Sequence, residues 1–156
     1  MTIDVADLDC IYLSYDEPQK EEFWIEIQNM VPWAKRVDGV EGSDAAHKAA
    51  ADASDTERFI LIDGDNIPDA NFFDLQLDIN PELEDCVFRW KARNVVNGLM
   101  YGNGGLSCWT REFVNNMQTH EATDGSDETV VEFCFDDKYK AMNNVYSTTY
   151  PNGDAY

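Results

Sequence analysis

Positive charge is what this sequence has least of. Its 156 residues hold 11 Lys and Arg against 31 Asp and Glu, with two histidines, a formal charge of -20 and a pI of about 4.1. A surface this acidic repels phosphate backbones and anionic lipid, which makes passive nucleic-acid or membrane binding by net charge unfavourable at low salt. Cysteine is sparse as well. Cys10, Cys86, Cys108 and Cys134 are far apart and form no Cys-x-x-Cys pair, which argues against a zinc site or disulfide framework and for reduced core residues. No run approaches the roughly 18 apolar residues of a membrane-spanning helix, and the N-terminus shows neither the basic nor the apolar region of a signal peptide. The expectation is a soluble, cytoplasmic protein.

What is present is material for a core. Hydrophobic residues make up 44% of the chain and aromatics 12%, which argues against disorder and for a single domain over residues 1–156. Two readings of the acidic excess remain. It is either a solvation adaptation to high salt, where the Debye length falls to roughly 3 Å at 1 M, or some of the carboxylates hold divalent cations.

The first half has a clear rhythm. Cys10 to Ser14 reads as a buried strand. Asp16-Glu17-Pro18 opens a helix with Pro in its first turn, Phe23, Trp24, Ile27, Met30 and Val31 form its apolar face, and Pro32 ends it. Lys35 to Val40 reads as a second strand, closed by Gly39 and Gly42, and Ser43 as the N-cap of an alanine-rich helix to about Ala53. Phe59 to Ile62 is a third strand, stopped by Asp63-Gly64-Asp65. This βαβαβ order predicts an α/β fold with a central, mostly parallel Rossmann-type sheet flanked by helices. Ligands of such sheets sit at the carboxyl ends of the strands, which points to Ser14-Tyr15-Asp16, Asp38-Gly39-Val40 and Asp63-Gly64-Asp65. The second half is less regular. Cys86 to Trp90, Val130 to Phe135 and Tyr146 to Thr149 read as strands, Asn94 to Gly105 as a Gly- and Asn-rich stretch, Thr110 to about Met117 as a short helix with Phe113, Val114 and Met117 inward, and Glu121 to Glu128 as an acidic loop.

At this composition two aspartates one residue apart arise about twice by chance, and the chain has two cases, Asp7-Leu8-Asp9 and Asp63-Gly64-Asp65. Position separates them. Asp7 and Asp9 precede the first strand, whereas Asp63 and Asp65 leave the third at the ligand-binding edge. Magnesium binds through one or two carboxylates plus substrate phosphates, and the intervening glycine lets the backbone turn and a phosphate approach.

Strand, helix, strand, helix and an apolar strand running into Asp63-x-Asp65 resemble the nucleotide-sugar half of a GT-A glycosyltransferase. Tyr101-Gly-Asn-Gly-Gly-Leu-Ser-Cys-Trp109 is similar to the Gly-rich acceptor segment of that fold. With Trp90-Lys-Ala-Arg-Asn-Val-Val-Asn-Gly98 and Thr119-His120-Glu121, the set resembles small glycosyltransferase-like proteins of phages and other viruses. The resemblance covers roughly residues 8 to 150, with a donor half over about 8–68 and an acceptor half over about 84–150. It implies transfer of a sugar from a UDP- or GDP-linked donor, with Mn²⁺ or Mg²⁺ as cofactor, in the host cytoplasm if the chain is viral. Asp65 would ligate the metal directly, Asp63 would touch the metal or the donor ribose, and His120 would be a third ligand unless it is a helix-end capping or surface group. Ser14, Tyr15 and Asp16 would meet the base and Gly39 and Val40 would border it, while His47 and Lys48 could reach the donor or lie on an exposed helix face. On the acceptor side, Gly104 and Gly105 line the site. Trp90 and Trp109 offer flat surfaces for a sugar or base, or fill the core. Lys91 and Arg93 could pair with phosphate. Glu132 is the base an inverting enzyme needs, with Glu128 and Asp85 as rivals. The sugar, the acceptor and the stereochemistry stay open. A chain shorter than most GT-A domains leaves a minimal domain, an oligomer that shares its site, or a truncated form. A non-catalytic nucleotide-binding module and an acidic structural protein of a salt-adapted virus are the competing readings.

Overall fold

The computed structural model describes residues 1–84, 86–101, 105–116 and 139–150. In chain order the elements are β1 (Thr2–Asp4), β2 (Asp9–Ser14), α1 (Lys20–Met30), β3 (Lys35–Asp38), α2 (Ser43–Ala53), β4 (Arg58–Asp63), β5 (Asn66–Pro68), β6 (Gln76–Asp78), β7 (Val87–Asn94), β8 (Met100–Tyr101), β9 (Leu106–Thr110), α3 (Arg111–Asn116) and β10 (Tyr139–Thr149), with short 3₁₀ turns between some of them. β1 and β6 form a separate ribbon. The others build one sheet in the order β3-β2-β4-β9-β7-β10-β5, with β8 paired to β7.

The α/β class and the βαβαβ unit are as the sequence predicts, since β2 pairs in parallel with both β3 and β4. The expectation of a mostly parallel sheet needs correction. β9 is antiparallel to both β4 and β7, and β5 is antiparallel to β10, so the sheet is mixed. The reason is local: β7 returns through a tight hairpin rather than a helical crossover, and only antiparallel strands can be joined that way. Because β9 reverses β4 and β7 reverses β9, β7 runs in the direction of β4. Its carboxyl end therefore reaches the same edge of the sheet. β10, parallel to β7, does likewise. The sheet curls, because β5 leaves β4 after a two-residue turn and yet closes on β10 at the far end of the strand order.

Two apolar layers hold the sheet. On one face Cys10, Tyr12, Ile60, Ile62, Phe88 and Trp90 pack with Phe23 and Ile27 of α1. On the other Ile11, Phe59, Leu61, Val87 and Trp109 pack under Ala50 and Ala51 of α2 and Val114 of α3. The alternation in β2 and β4 is the period-2 pattern of strands buried on both faces. Three boundaries differ from expectation. α1 starts at Lys20, one turn after Asp16-Glu17-Pro18, β3 stops at Asp38, and α2 is capped by Gly42 at φ +93°, with Ser43 inside its first turn. Cys10, Cys86 and Cys108 are buried free thiols, as expected. The predicted Val130–Phe135 strand lies outside the described residues, and the predicted Tyr146–Thr149 strand is the end of β10.

Candidate functional site

β4 is buried along its length until Asp63, which emerges half-buried at the carboxyl edge of the sheet. Its backbone amide donates to the Gly105 carbonyl at 2.8 Å, which extends the β4–β9 ladder by one residue. The turn that follows is tied from several sides. The Tyr12 hydroxyl donates to the Gly64 carbonyl at 2.7 Å, and the Tyr150 amide donates to the Asp65 carbonyl at 2.7 Å. The Asn66 side-chain amide donates to Asp65 Oδ1 at 2.6 Å and its oxygen accepts from Ser147 Oγ at 3.0 Å. The two acids are thus presented by a braced turn rather than a loose loop.

A third carboxylate joins them. Glu17 lies so close to Gly64 that a Cβ there would collide with its carboxylate, and its Oε1 accepts from the Tyr15 amide at 2.7 Å. Next to Pro18, Glu17 reads from sequence as part of a helix start, but α1 begins only at Lys20. Its placement at the loop after β2, on the ligand-binding edge, was the signal available. Burial, and then the neighbouring Asp65 carboxylate, push the Asp63 carboxyl up to about 7, with Glu17 adding to the shift and the Arg89 guanidinium partly offsetting it. Asp65 is raised as well, chiefly by burial, against the stabilising Asn66 hydrogen bond. Two nearby carboxyls in a partly dry site cannot both ionise cheaply, so a proton or a cation must relieve them.

A cleft of about 340 Å³ opens beside this turn. Glu17, Asp63 and Asp65 line it together with Leu13, Tyr15, Val40, Ala46 and His47. His47 is held by contact of Nδ1 with the Ser43 carbonyl at 2.8 Å and packs edge-on against Trp109. The expected donor residues Ser14, Tyr15 and Val40 are all in the cleft wall. Ser14 Oγ donates to Asp38 Oδ1 at 2.7 Å and accepts from Arg36 Nε at 3.1 Å, which braces the β2 and β3 loops together. Gly39 sits behind the wall at φ +79°, bonded to the Ser14 carbonyl, and Asp16 is exposed outside it. Lys48 pairs with Asp44 at 2.9 Å on α2 and does not line the cleft.

The acceptor-side residues divide. Trp90 is 0% exposed and packs edge-on against Phe72, and Trp109 is 1% exposed with Nε1 donating to Ser107 Oγ at 2.7 Å. Both are core, which corrects their expected role as stacking platforms: Trp90 lies on the buried face of β7 and Trp109 in a strand buried on both faces, so neither leaves ring surface to a ligand. Lys91 is half-buried and Arg93 exposed. Arg89 pairs in register with Ser107 and Ser107 with Leu61, so Arg89, Lys91 and Arg93 share the sheet face of Asp63. Gly105 is the other bridge. A Cβ there would overlap the Asn66 amide and the Asp63 Cβ. Gly104, His120, Glu132, Glu128 and Asp85 lie outside the described residues.

The donor set tests the cofactor expectation. Among the described residues no three His, Cys, Asp or Glu side chains are arranged to hold an ion. Asp63 and Asp65 alone offer a partial, all-oxygen set of the kind magnesium completes with phosphate oxygens and water.

No family model matches the sequence, and no curated protein matches it closely. Solved structures share its fold. HddC from Yersinia pseudotuberculosis superposes with a TM-score of 0.50 at 14% identity, over 90% of this chain and 72% of that one. A197 from STIV gives 0.52 at 10% identity, over 92% and 86%. The inositol-1-phosphate CTP transferase from T. maritima gives 0.51 at 11% identity, over 93% and 70%. At these identities the likeness is one of fold.

Proposed function

We propose that the chain is a metal-dependent glycosyltransferase that moves a sugar from a nucleotide-diphosphate donor, UDP- or GDP-linked, to an acceptor hydroxyl. The observation that carries this reading is the cleft itself. Its lining combines two braced carboxylates of raised proton affinity with apolar and aromatic side chains, so a metal-bound diphosphate and a nucleobase each find a matching surface. Tyr15, Val40 and His47 border the base, Ser14 shapes the loop beneath it, and Asp65 with Asp63 takes the divalent ion. Mn²⁺ or Mg²⁺, when bound, supplies neutralisation of the leaving diphosphate. The C1–O bond to the phosphate breaks with its electron pair on the phosphate oxygen, and the acceptor oxygen forms the new bond to C1. Glu132 takes the hydroxyl proton and His120 completes the metal site. Gly104, Gly105, Lys91 and Arg93 serve the acceptor side.

A second reading is nucleotidyl transfer. It is favoured by the shared fold of a protein that, by its name, uses CTP. Against it, the loop after β2 is Ser14-Tyr15-Asp16-Glu17-Pro18, with neither the glycines nor the cation that usually cradle a triphosphate.

Thermal shift with UDP, GDP, their sugars and CTP, with and without Mn²⁺, followed by product analysis, separates the readings. Release of nucleoside diphosphate supports glycosyl transfer, and release of pyrophosphate from a triphosphate supports the second reading. A shift without turnover identifies a binding module, and no shift with any nucleotide removes all three.

A further inference from the structure

The acids of this chain are unevenly spread. From Cys86 to Arg111 there is no Asp or Glu, where composition predicts roughly five, and there is none from Lys138 to Gly153. These two stretches hold six of the eleven Lys and Arg. Their described parts build β7, β8, β9 and β10, the side of the sheet beyond Asp63.

At the end of this region the β7–β8 hairpin projects from the carboxyl edge that also carries Asp63. Val95, Val96, Leu99 and Met100 are 47, 54, 58 and 46% exposed. This is half of the eight large hydrophobic side chains exposed among the described residues. The tip is not a frayed loop. Asn94 N donates to the Leu99 carbonyl at 2.9 Å and Gly98 N, at φ +71°, to the Asn94 carbonyl at 2.8 Å. Val96 N donates to Asn94 Oδ1 at 2.8 Å and Leu99 N to Asn97 Oδ1 at 3.0 Å. Four backbone donors are thus satisfied within the tip while its apolar side chains are exposed, which lowers the cost of leaving water. Arg93 and Lys91 follow along β7, just below the tip.

Three occupants compete. A second copy needs roughly 800 Å² per partner for a stable interface, and a convex tip of four half-exposed side chains offers far less. Nucleic acid would be met by aromatic faces and cations, but the exposed residues here are aliphatic. A bilayer accepts a small convex apolar tip and rewards cations at headgroup depth. The charge of -20 does not forbid this, because carboxylates more than about 8 Å from the contact are largely screened at physiological salt.

We propose that the β7–β8 hairpin docks on an anionic lipid surface, with Val95, Val96, Leu99 and Met100 entering the leaflet and Lys91 and Arg93 meeting the headgroups, so that the cleft faces a lipid-borne acceptor hydroxyl. The nature of the acceptor rests on the glycosyl transfer proposed above, whereas the docking stands by itself. The test is flotation of the full chain with phosphatidylcholine vesicles, with and without about 30% phosphatidylglycerol. The wild-type chain should float with the anionic vesicles about tenfold more than a Val96→Asn, Leu99→Asn double variant. These two side chains are exposed, so the variant should keep the wild-type melting temperature and thermal shift with nucleotide and Mn²⁺. Failure of the wild-type chain to float, or equal flotation of the variant, overturns docking. So does a dimer that the variant abolishes while vesicle binding is absent. A chain that floats but shifts with no nucleotide overturns the transfer reaction and keeps docking, and a chain that shifts but does not float does the reverse.

Discussion

The two sides of the sheet differ in charge and in how their strands are joined. Residues 1–85 carry 22 of the 31 acids and five of the eleven cations, and their main strands are parallel with helical crossovers. The stretch from Cys86 to Arg111 carries four cations and no acid, and its strands are joined by a hairpin. Both reach the same edge, but the cleft is lined from the first side alone, by residues between Leu13 and Asp65. The difference teaches that the mean charge of this chain describes neither side. Asp63 and Arg89, on facing sides, already feel one another.

Variants on either side test that contrast. The largest effect should come from Asp65→Ala, which removes the best-placed acid of the first side and should cut donor turnover by about a thousandfold or more, with loss of the Mn²⁺-dependent thermal shift. Stability should hardly change, since the charge is already disfavoured by burial. Trp90→Ala inverts the pattern. It should cost about 3–5 kcal/mol in denaturant unfolding, because the ring is core; an unchanged unfolding midpoint with weakened acceptor use would restore the platform role. Gly105→Ala probes the seam, since the new methyl would push Asn66 and Asp63 apart, and about 1–3 kcal/mol should be lost together with donor binding.

A pH series gives a smaller effect. The Asp63 carboxyl is raised from 3.8 to about 7, so its contribution to metal-free stability is full below the unfolded value and is lost as pH rises through about 7. In EDTA the wild-type chain should therefore lose stability between about pH 4 and 7 relative to Asp63→Asn, and parallel curves for the two would refute the shift. Least affected should be Lys48→Ala, which breaks a half-buried pair with Asp44 one turn earlier. About 0.2–0.5 kcal/mol is expected by thermal melting.

Much of the acidic side was legible beforehand. The apolar runs of β2 and β4, the face of α1 and the alanines of α2 gave the parallel unit from periodicity alone, and the strand-end rule singled out Asp63 and Asp65 among many acids. Glu17 was not legible, because next to Pro18 it reads equally well as a helix start; only the fold of β2 against β4 seats it on Gly64. Trp90 and Trp109 failed as platforms for a related reason. An aromatic in a strand can face a ligand or the core, and which it faces depends on what covers the sheet. The antiparallel β9 was hidden in Leu106–Thr110, a short apolar run directly abutting a helix, whose partner could not be read from its own sequence.

The sequence by itself determined the acidic excess, the acid-free stretch from Cys86 to Arg111, the βαβαβ unit and the aspartates at its edge, because composition and local periodicity are properties of neighbouring residues. The tertiary structure decided that β7 and β9 complete the sheet beside β4. It also decided that Glu17, Asn66 and Gly105 close around Asp63, and that the apolar hairpin tip stands at the same edge of the sheet as Asp63. Those are contacts between residues far apart in the chain, and strand pairing and burial bring them together.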